Sequence, residues 1–269
     1  MRTILLQILR SFARLIGLRY GVHRLVELTL RDRRSWMLSK DRTGNVFLLN
    51  LANYLDARLY LSGAYEEEEL RAFCDLVRKY GCTEFVDVGA NIGLYTVTIG
   101  KIPSINLIYA FEPDLLNRQQ LIANILLNGL SQKVHVHGVA LSSTEGVATL
   151  YRCSQPKEFD AYKANTGAHS LHYNPKWHDE TLTIECKRGD DILTLRDKSI
   201  AIKIDVEGHE LHVLEGMREL LTTNTCIILI ESLPERYQSV DNFLHDIGYV
   251  RSRTLKDHNY IFTKLLPSS

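Results

Sequence analysis

The 269-residue sequence lacks paired cysteines, an excess of charge and a long apolar run. Its five cysteines are scattered and never form a Cys-x-x-Cys pair, which argues against a zinc knuckle or a redox motif. Its 32 basic and 32 acidic residues balance, so no global charge favours nucleic acid as a partner. No apolar stretch reaches the roughly 18 residues needed to cross a bilayer. We expect a globular, cytoplasmic protein that does not bind nucleic acid.

The first 20 residues have a basic amphipathic pattern. Apolar side chains recur at helical spacing from Ile4 to Ile16, with arginines on the other side. Two interpretations stay open. The segment is either a helix on an anionic surface at the inner face of a membrane, or a helix packed on its own domain or on a second subunit. Arg10 and Arg14 interrupt the apolar run, so we expect no signal peptide.

Before residue 84 the sequence contains short patterns that predict single strands and helices. Residues 44–61 contain an apolar run, Val46 to Leu49, and predict short strands or a hairpin. The glutamate run Glu66–Glu69 then opens an amphipathic helix. Acidic residues are favourable in the first turn of a helix, so we interpret this run as a solvated helix start without a catalytic role.

From residue 84 onward, buried strands alternate with helices, except for an interruption between residues 147 and 187. The strands predicted for the alternating part are Phe85–Val88, Leu107–Phe111, Val134–Leu141, Ile200–Asp205 and Cys226–Glu231. In the interruption, Val147–Tyr151 and Thr181–Cys186 read as antiparallel strands around a long polar loop. The pattern predicts an α/β fold, with a mostly parallel sheet, helices on both faces and a β-hairpin insertion.

Two strand ends indicate a nucleoside cofactor. Gly89 and Gly93 follow the first strand and allow the backbone to approach a ligand closely. Glu112 follows the second strand, where a carboxylate can accept hydrogen bonds from two ribose hydroxyls. The dinucleotide fingerprint Gly-x-Gly-x-x-Gly is not met, because Asn91 stands where its second glycine would be. Asp87 would repel a pyrophosphate but suits the positive charges of S-adenosylmethionine (SAM), which we expect as the cofactor.

Several ordered motifs over roughly residues 60–262 resemble the FkbM family of SAM-dependent methyltransferases. These motifs are Asp87-Val-Gly-Ala-Asn-Ile-Gly93, Phe111-Glu-Pro113, Gly138-Val-Ala-Leu-Ser142, Asn165-Thr-Gly-Ala-His-Ser-Leu171 and Ile202-Lys-Ile-Asp-Val-Glu-Gly-His-Glu210. The resemblance implies a class I methyltransferase fold and methyl transfer to a hydroxyl oxygen. We expect residues 1–60 to form an N-terminal helical extension and residues 61–269 to form the methyltransferase domain.

The expected acceptor is a hydroxyl of a carbohydrate or a related metabolite, because members of this family are often associated with glycans. Polyketides and other natural products are the alternative acceptors. A NAD(P)-dependent oxidoreductase is a weaker alternative because of the glycine spacing. A non-catalytic protein with this fold is a third alternative.

The candidate catalytic residues lie beyond two further strands. Alternation along the strand places Lys203 and Asp205 on one side, so Asp205 is the leading candidate to accept the hydroxyl proton. Glu207, His209 and Glu231 are supports or alternatives, and each has a structural interpretation as a cap or a pairing partner. We expect the cofactor to be bound by Tyr65, Asp87, Gly89, Ala90, Asn91, Gly93, Glu112, Pro113, Ala140 and Asp205.

Metal ligation is less well supported. The carboxylates and the imidazole among these candidates could hold Mg²⁺ or Ca²⁺, but spacing alone does not establish such a site, and we assign no metal ligand. The loop 153–180 combines aromatic and polar residues that suit a sugar, although it also fits an ordinary surface loop. Its histidines, His169, His172 and His178, are not expected to bind metal.

Overall fold

The computed structural model describes residues 36–153 and 165–264. In chain order, the strands are β1 (Trp36–Lys40), β2 (Val46–Asn50), β3 (Glu84–Val88), β4 (Leu107–Phe111), β5 (Val134–His137), β6 (Ala140–Leu141), β7 (Gly146–Arg152), β8 (Glu180–Lys187), β9 (Ser199–Ile204), β10 (Thr225–Glu231), β11 (Tyr249–Thr254) and β12 (Asn259–Lys264). The helices are α1 (Tyr54–Ser62), α2 (Glu67–Lys79), α3 (Leu94–Gly100), α4 (Leu115–Leu127), α5 (Gly189–Ile192), α6 (Glu210–Gly216), α7 (Arg218–Thr223) and α8 (Pro234–Asp246).

Seven strands form the central sheet in the order β11-β12-β10-β9-β3-β4-β5. Neighbouring strands from β10 to β5 are parallel, whereas β12 is antiparallel to both of its neighbours. The chain runs outward in one direction from β3 to β5 and in the other direction from β9 onward. The carboxyl ends of β3 and β9 therefore flank the switch point, where ligands bind in sheets of this kind. The predicted, mostly parallel α/β sheet is confirmed.

Hydrophobic cores cover both faces of this sheet. Phe85 of β3 packs in one core, and its neighbour Val86 packs in the other. The same alternation occurs in β10, where Ile227 and Ile228 lie in different cores. Strands buried on both faces read as continuous apolar runs, which is why their positions could be predicted. The five cysteines are buried, as expected of small core residues.

The predicted β-hairpin insertion is confirmed as β7 and β8, which pair antiparallel from Gly146–Cys186 to Arg152–Glu180. The expectation of one strand over Val134–Leu141 was wrong. β5 ends at His137, and Ala140–Leu141 pairs with β8 in a separate three-stranded sheet. Residue 138 is a glycine whose added Cβ would lie 2.7 Å from the Arg118 guanidinium carbon, so the chain turns past that side chain between the two sheets.

The region before the sheet is only partly as predicted. β1 and β2 form an antiparallel hairpin, but residues 54–62 form α1, where strands were expected. Leu55 and Leu59 lie one helical turn apart and are buried, and Gly63 ends α1 in the left-handed conformation (φ 72°). The boundary expected near residue 60 falls inside α1, whose leucines share a core with β3. The amphipathic segment 1–20 lies outside the described residues.

No helix within the described ranges is long and apolar enough to cross a membrane.

Candidate active site

A cavity of about 680 Å³ lies at the carboxyl ends of β3, β4, β9 and β10. Its volume is in the range of small-molecule sites, about 300–1,000 Å³. The predicted site residues that line it are Tyr65, Gly89, Asn91, Glu112, Pro113, Ala140, Asp205, Glu207, His209 and Glu231. The structure thus brings together residues from six separate segments of the sequence. Asp87, Ala90 and Gly93 do not line the cavity.

The turn after β3 is built from residues in the left-handed conformation. Gly89 has a φ of 81°, and Asn91 has a φ of 49°, which asparagine tolerates better than most residues. A Cβ on Gly89 would lie 1.9 Å from the carbonyl oxygen of Asp205, so only glycine fits between β3 and β9. The amide nitrogens of Gly89 and Ala90 both donate to the Phe111 carbonyl at 3.0 Å. The turn is therefore fixed to the ends of both neighbouring strands.

Asp87 faces the protein interior. Its carboxylate accepts a 2.5 Å hydrogen bond from the Thr96 hydroxyl of α3, and burial raises its pKa to about 6. This geometry supports a role in anchoring α3 rather than the expected contact with the donor ammonium. Gly93 is likewise a packing position, because an added Cβ would lie 2.5 Å from Leu121.

Glu112 is oriented by backbone donors. Its two carboxylate oxygens accept hydrogen bonds from the amides of Asn91 at 2.8 Å and Asp114 at 2.9 Å. Burial raises the pKa of Glu112 to about 8, although these two hydrogen bonds act in the opposite direction. Each oxygen keeps a further lone pair, so Glu112 remains able to accept hydrogen bonds from a ligand.

Around Asp205 the cavity is dominated by charge. The side chain of Lys203 is 2% exposed, and its Nζ lies 3.2 Å from Oδ2 of Asp205, which confirms that the two residues share one side of β9. Glu66, Glu207 and Glu231 also interact electrostatically with Lys203. We call these five residues the Lys203 cluster. Four carboxyl groups around one ammonium cannot all be ionised at low cost.

The pKa values of the two glutamates that follow β9 and end β10 are raised. Burial, followed by the charge of Asp205, raises the pKa of Glu207 to about 8 and that of Glu231 to about 9. Glu207 also has a φ of 51°, an uncommon backbone conformation that often marks functional turns. Both carboxyl groups therefore hold protons at neutral pH, whereas Asp205 pairs with the ammonium of Lys203.

His209 has other partners. Its Nε2 lies 3.0 Å from the Ser142 hydroxyl, and its Nδ1 lies 3.3 Å from Nε2 of His172. The ring stacks on His212 with 4.4 Å between centroids. Burial and the neighbouring histidines lower its pKa to about 4. Its ring nitrogens are engaged and weakly basic, so His209 is a weaker candidate for proton acceptor than the carboxylates.

The glutamate run is not simply a solvated helix start, so that interpretation was wrong. Glu67 and Glu68 are exposed, but Glu66 lines the cavity in a left-handed turn (φ 49°) and accepts a 2.9 Å hydrogen bond from the Tyr95 hydroxyl. Glu69 is buried. Sequence reasoning missed Glu66 because its partners, Tyr95 and Lys203, are distant in the chain. A lysine within a buried apolar strand was the one available signal of acidic partners nearby.

Histidines of the 153–180 loop also reach the cavity. His169 lines it, whereas His178 holds the loop together by accepting from the Asn174 amide at 2.9 Å and contacting the Ala168 carbonyl at 3.1 Å. Within residues 36–153 and 165–264, no group of histidine, cysteine and acidic side chains has the geometry of a metal site.

The family model described as "Methyltransferase FkbM domain" matches residues 87–261, which is more than half of the chain. The chain belongs to the FkbM family of methyltransferases. It is therefore an enzyme with the class I methyltransferase fold, whose strand order and antiparallel β12 are those described above. The comparison with curated proteins finds no match.

Several solved structures resemble this FkbM protein. M. jannaschii TYW2 in complex with AdoMet is 12% identical, with 87% of this chain and 88% of that chain covered and a TM-score of 0.45. A putative O-methyltransferase from Klebsiella pneumoniae is 12% identical, with 75% and 82% covered and a TM-score of 0.45. The M. jannaschii tRNA m1G37 methyltransferase is 11% identical, with 86% and 56% covered and a TM-score of 0.42. Identities this low say nothing about the acceptor.

Proposed function

We propose that this FkbM enzyme uses SAM to methylate a hydroxyl of a carbohydrate or of a related hydroxylated metabolite. The observation that supports this most directly is one cavity shared by the Gly89 turn, Glu112 and Asp205, at the switch point of the sheet. A carboxyl group suited to ribose hydroxyls and a candidate proton acceptor therefore line the same cavity. Polyketides and other natural products are the alternative acceptors.

Several features fit SAM. Gly89 lines the cavity, and Glu112 beside it has lone pairs to spare for ribose hydroxyls. Oδ1 of Asn91 is buried, and no hydrogen-bond partner for it lies in the described part of the chain. A buried polar atom at the cavity wall is costly unless a ligand satisfies it. Tyr65, Pro113 and Ala140 complete the proposed cofactor site, and SAM bound there would supply an electrophilic methyl group.

The Lys203 cluster is the proposed acceptor side. A hydroxyl attacking the methyl carbon loses its proton, and a carboxylate within hydrogen-bond reach can take it. Asp205 is the leading candidate, because the ammonium of Lys203 stabilises its negative charge. Glu207 and Glu231, which are protonated at neutral pH, can hold acceptor hydroxyls by donating hydrogen bonds.

A sugar suits the remaining lining. Tyr54 offers a ring on which a sugar ring can pack, beside polar groups that bind hydroxyls. The acidic lining and the balanced net charge favour a small molecule over a polyanionic nucleic acid.

Contact of residues 1–20 with a membrane surface is a separate proposal. Equal co-sedimentation with liposomes of the full chain and a chain without residues 1–20 would rule it out.

The test combines donor binding and acceptor screening. Calorimetry should show binding of SAM and its demethylated product, S-adenosylhomocysteine, without comparable binding of NAD. Tight NAD binding without SAM binding would end the methyltransferase proposal for this site. A panel of sugars, nucleotide sugars and hydroxylated natural products, incubated with methyl-labelled SAM, should give base-stable methyl ethers. Label only on amines or carboxylates would contradict O-methylation.

A further inference from the structure

A short turn of the β7–β8 connection crosses the cavity. It comprises residues 165–170 and includes one turn of 3-10 helix, Thr166–Ala168. Thr166, Gly167 and His169 line the cavity. The turn belongs to the β7–β8 insertion, so this part of the cavity wall is not supplied by the central sheet.

The turn is fastened at both ends. Ser170 exchanges backbone hydrogen bonds with Tyr151 of β7 at 2.8 and 3.0 Å, and its hydroxyl donates to the Glu207 carbonyl at 2.6 Å. At the other end, the Thr166 amide donates to the Asn53 side chain at 3.1 Å, and the Thr166 carbonyl accepts from Asn117 of α4 at 3.3 Å. These contacts join the turn to four other segments of the chain and fix its position over the cavity.

This wall presents polar atoms that the protein leaves without partners. Within residues 36–153 and 165–264, the Thr166 hydroxyl and both ring nitrogens of His169 have no hydrogen-bond partner and are buried. The side chain of His169 is 7% exposed, and its Nδ1 lies 3.8 Å from Asp114, too far for a hydrogen bond. Burial lowers the pKa of His169 to about 4, so the imidazole is neutral, with one donor and one acceptor nitrogen.

These unpartnered atoms lie on the Glu112 side of the cavity. Asp114, beside His169, caps α4 two residues after Glu112, and Asn117, beside Thr166, lies in the first turn of that helix. Asn91, whose own Oδ1 is unpartnered, donates its amide to Glu112. The group is therefore separate from the Lys203 cluster and consists of uncharged donors and acceptors.

We propose that Asn91, Thr166 and His169 form a recognition site for the nucleoside of the methyl donor. The proposal rests on the proposed use of SAM and adds the 165–170 turn to the donor site. Ribose hydroxyls and purine nitrogens are uncharged donors and acceptors, which match a neutral imidazole, a hydroxyl and an amide oxygen. The methionine part of the donor is charged and has no need of such a set.

The test is calorimetric titration with SAM, S-adenosylhomocysteine and 5′-methylthioadenosine, a fragment that keeps the nucleoside but lacks the amino acid. Thr166→Val, which removes a hydroxyl at constant volume, and His169→Ala should each weaken binding of all three ligands by about tenfold. Thr183→Val and His245→Ala, both exposed, are the matched controls.

The outcomes separate the two proposals. If the wild-type protein binds neither SAM nor the fragment, the proposed function fails and this inference fails with it. If the wild-type protein binds both and the two variants keep the wild-type affinity, only the inference is overturned. Unchanged donor affinity with a raised acceptor KM would assign the turn to the acceptor and would also overturn it. Thermal unfolding shows whether each variant folds. If His169→Ala does not fold, the affinity of Thr166→Val alone tests the inference.

Discussion

The carboxyl groups on the two sides of the cavity have different surroundings. On the Glu112 side, one buried carboxyl group is held by two backbone amides, and the unpartnered polar atoms of Asn91, Thr166 and His169 near it are uncharged. On the Asp205 side, four carboxyl groups surround the single buried ammonium of Lys203. Burial raises carboxyl pKa values on both sides, and repulsion adds to it from Asp114 alone at Glu112 but from several carboxyl groups at Glu231.

This difference indicates that the two sides of the cavity have different tasks. A carboxyl group fixed by backbone amides changes little in position, which suits recognition of a ligand. A crowded set of carboxyl groups shares protons and responds to a change in any one member, which suits proton transfer. Substitutions on either side of the cavity test this division, and the loss of activity at Asp205 is expected to be the largest effect.

Asp205→Asn removes the proposed proton acceptor while keeping the shape of the side chain. We expect kcat to fall by about 100- to 10,000-fold, since this is the usual contribution of a positioned base. The measurement is the rate of methyl transfer from labelled SAM to an identified acceptor. The exposed Asp246→Asn is the control. Unchanged turnover in Asp205→Asn would show that another group accepts the proton.

Lys203→Met removes the only positive charge of the Lys203 cluster. Because buried carboxylates then lose their partner, we expect the free energy of unfolding at pH 7 to fall by about 3–5 kcal/mol. The control is Lys198→Met, where an exposed lysine lies 3.7 Å from Glu84 and should contribute less than about 1 kcal/mol. Urea unfolding measures both variants. Equal, small losses of unfolding free energy in the two variants would mean that the Lys203 cluster does not need its positive charge for stability.

Gly89→Ala tests the point where the two sides meet. The added Cβ would clash with the Asp205 carbonyl, whereas Gly129, also in the left-handed conformation (φ 70°), has open space around it. Gly129→Ala should cost about 1–2 kcal/mol from backbone strain alone. Gly89→Ala should cost about 2 kcal/mol more and should abolish SAM binding. Equal losses in both variants would indicate that the two strand ends are free to separate.

The raised carboxyl pKa values predict a pH dependence of stability. Glu112, Glu207 and Glu231 bind protons more tightly when folded, so their stabilisation is complete below the unfolded pKa of about 4.3 and is lost as pH rises through about 8 to 9. The pKa values of His169 and His209 are lowered to about 4. Their contribution to the free energy of unfolding is therefore complete above about pH 6.5 and stays constant at higher pH.

Unfolding in urea at pH 7 and pH 8 measures this loss. Glu231→Gln should reduce the slope by up to about 1.4 kcal/mol per pH unit, the limit for one proton. Glu235→Gln, at an exposed position, should leave the slope unchanged. A Glu231→Gln slope equal to that of wild type would mean that Glu231 is ionised at neutral pH.

Sequence patterns predicted the sheet well because each buried strand is a local signal. The runs around Ile108 and Ile228 are apolar almost throughout, the run around Phe85 is interrupted by Asp87, and each one ends close to where the structure ends it. The helix α1 was missed because the apolar run just before it suggested strands, and its leucines are recognisable as a buried face only against the core. The split of Val134–Leu141 was missed because pairing with β8 decides it.

The candidate site, like the fold, could be predicted only in part from the sequence. Gly89, Glu112 and Asp205 follow strands, so their convergence could be inferred from the rule that carboxyl ends of parallel strands meet at one edge. The inward position of Asp87 could not be inferred, because it depends on the Thr96 hydroxyl of α3. Glu66 and the 165–170 turn lie outside the alternating pattern, and only contacts distant in sequence bring them to the cavity.

By itself, the sequence determined the order of strands and helices, the glycine turn and the resemblance to the FkbM family, because apolar periodicity and short motifs are local properties of the chain. The tertiary structure decided which polar groups share a low-dielectric cavity. It surrounded Lys203 with carboxyl groups and placed Thr166 and His169 over the Glu112 side. Burial and charge interactions act through space rather than along the chain, and so only folding sets the protonation of Glu207 and Glu231.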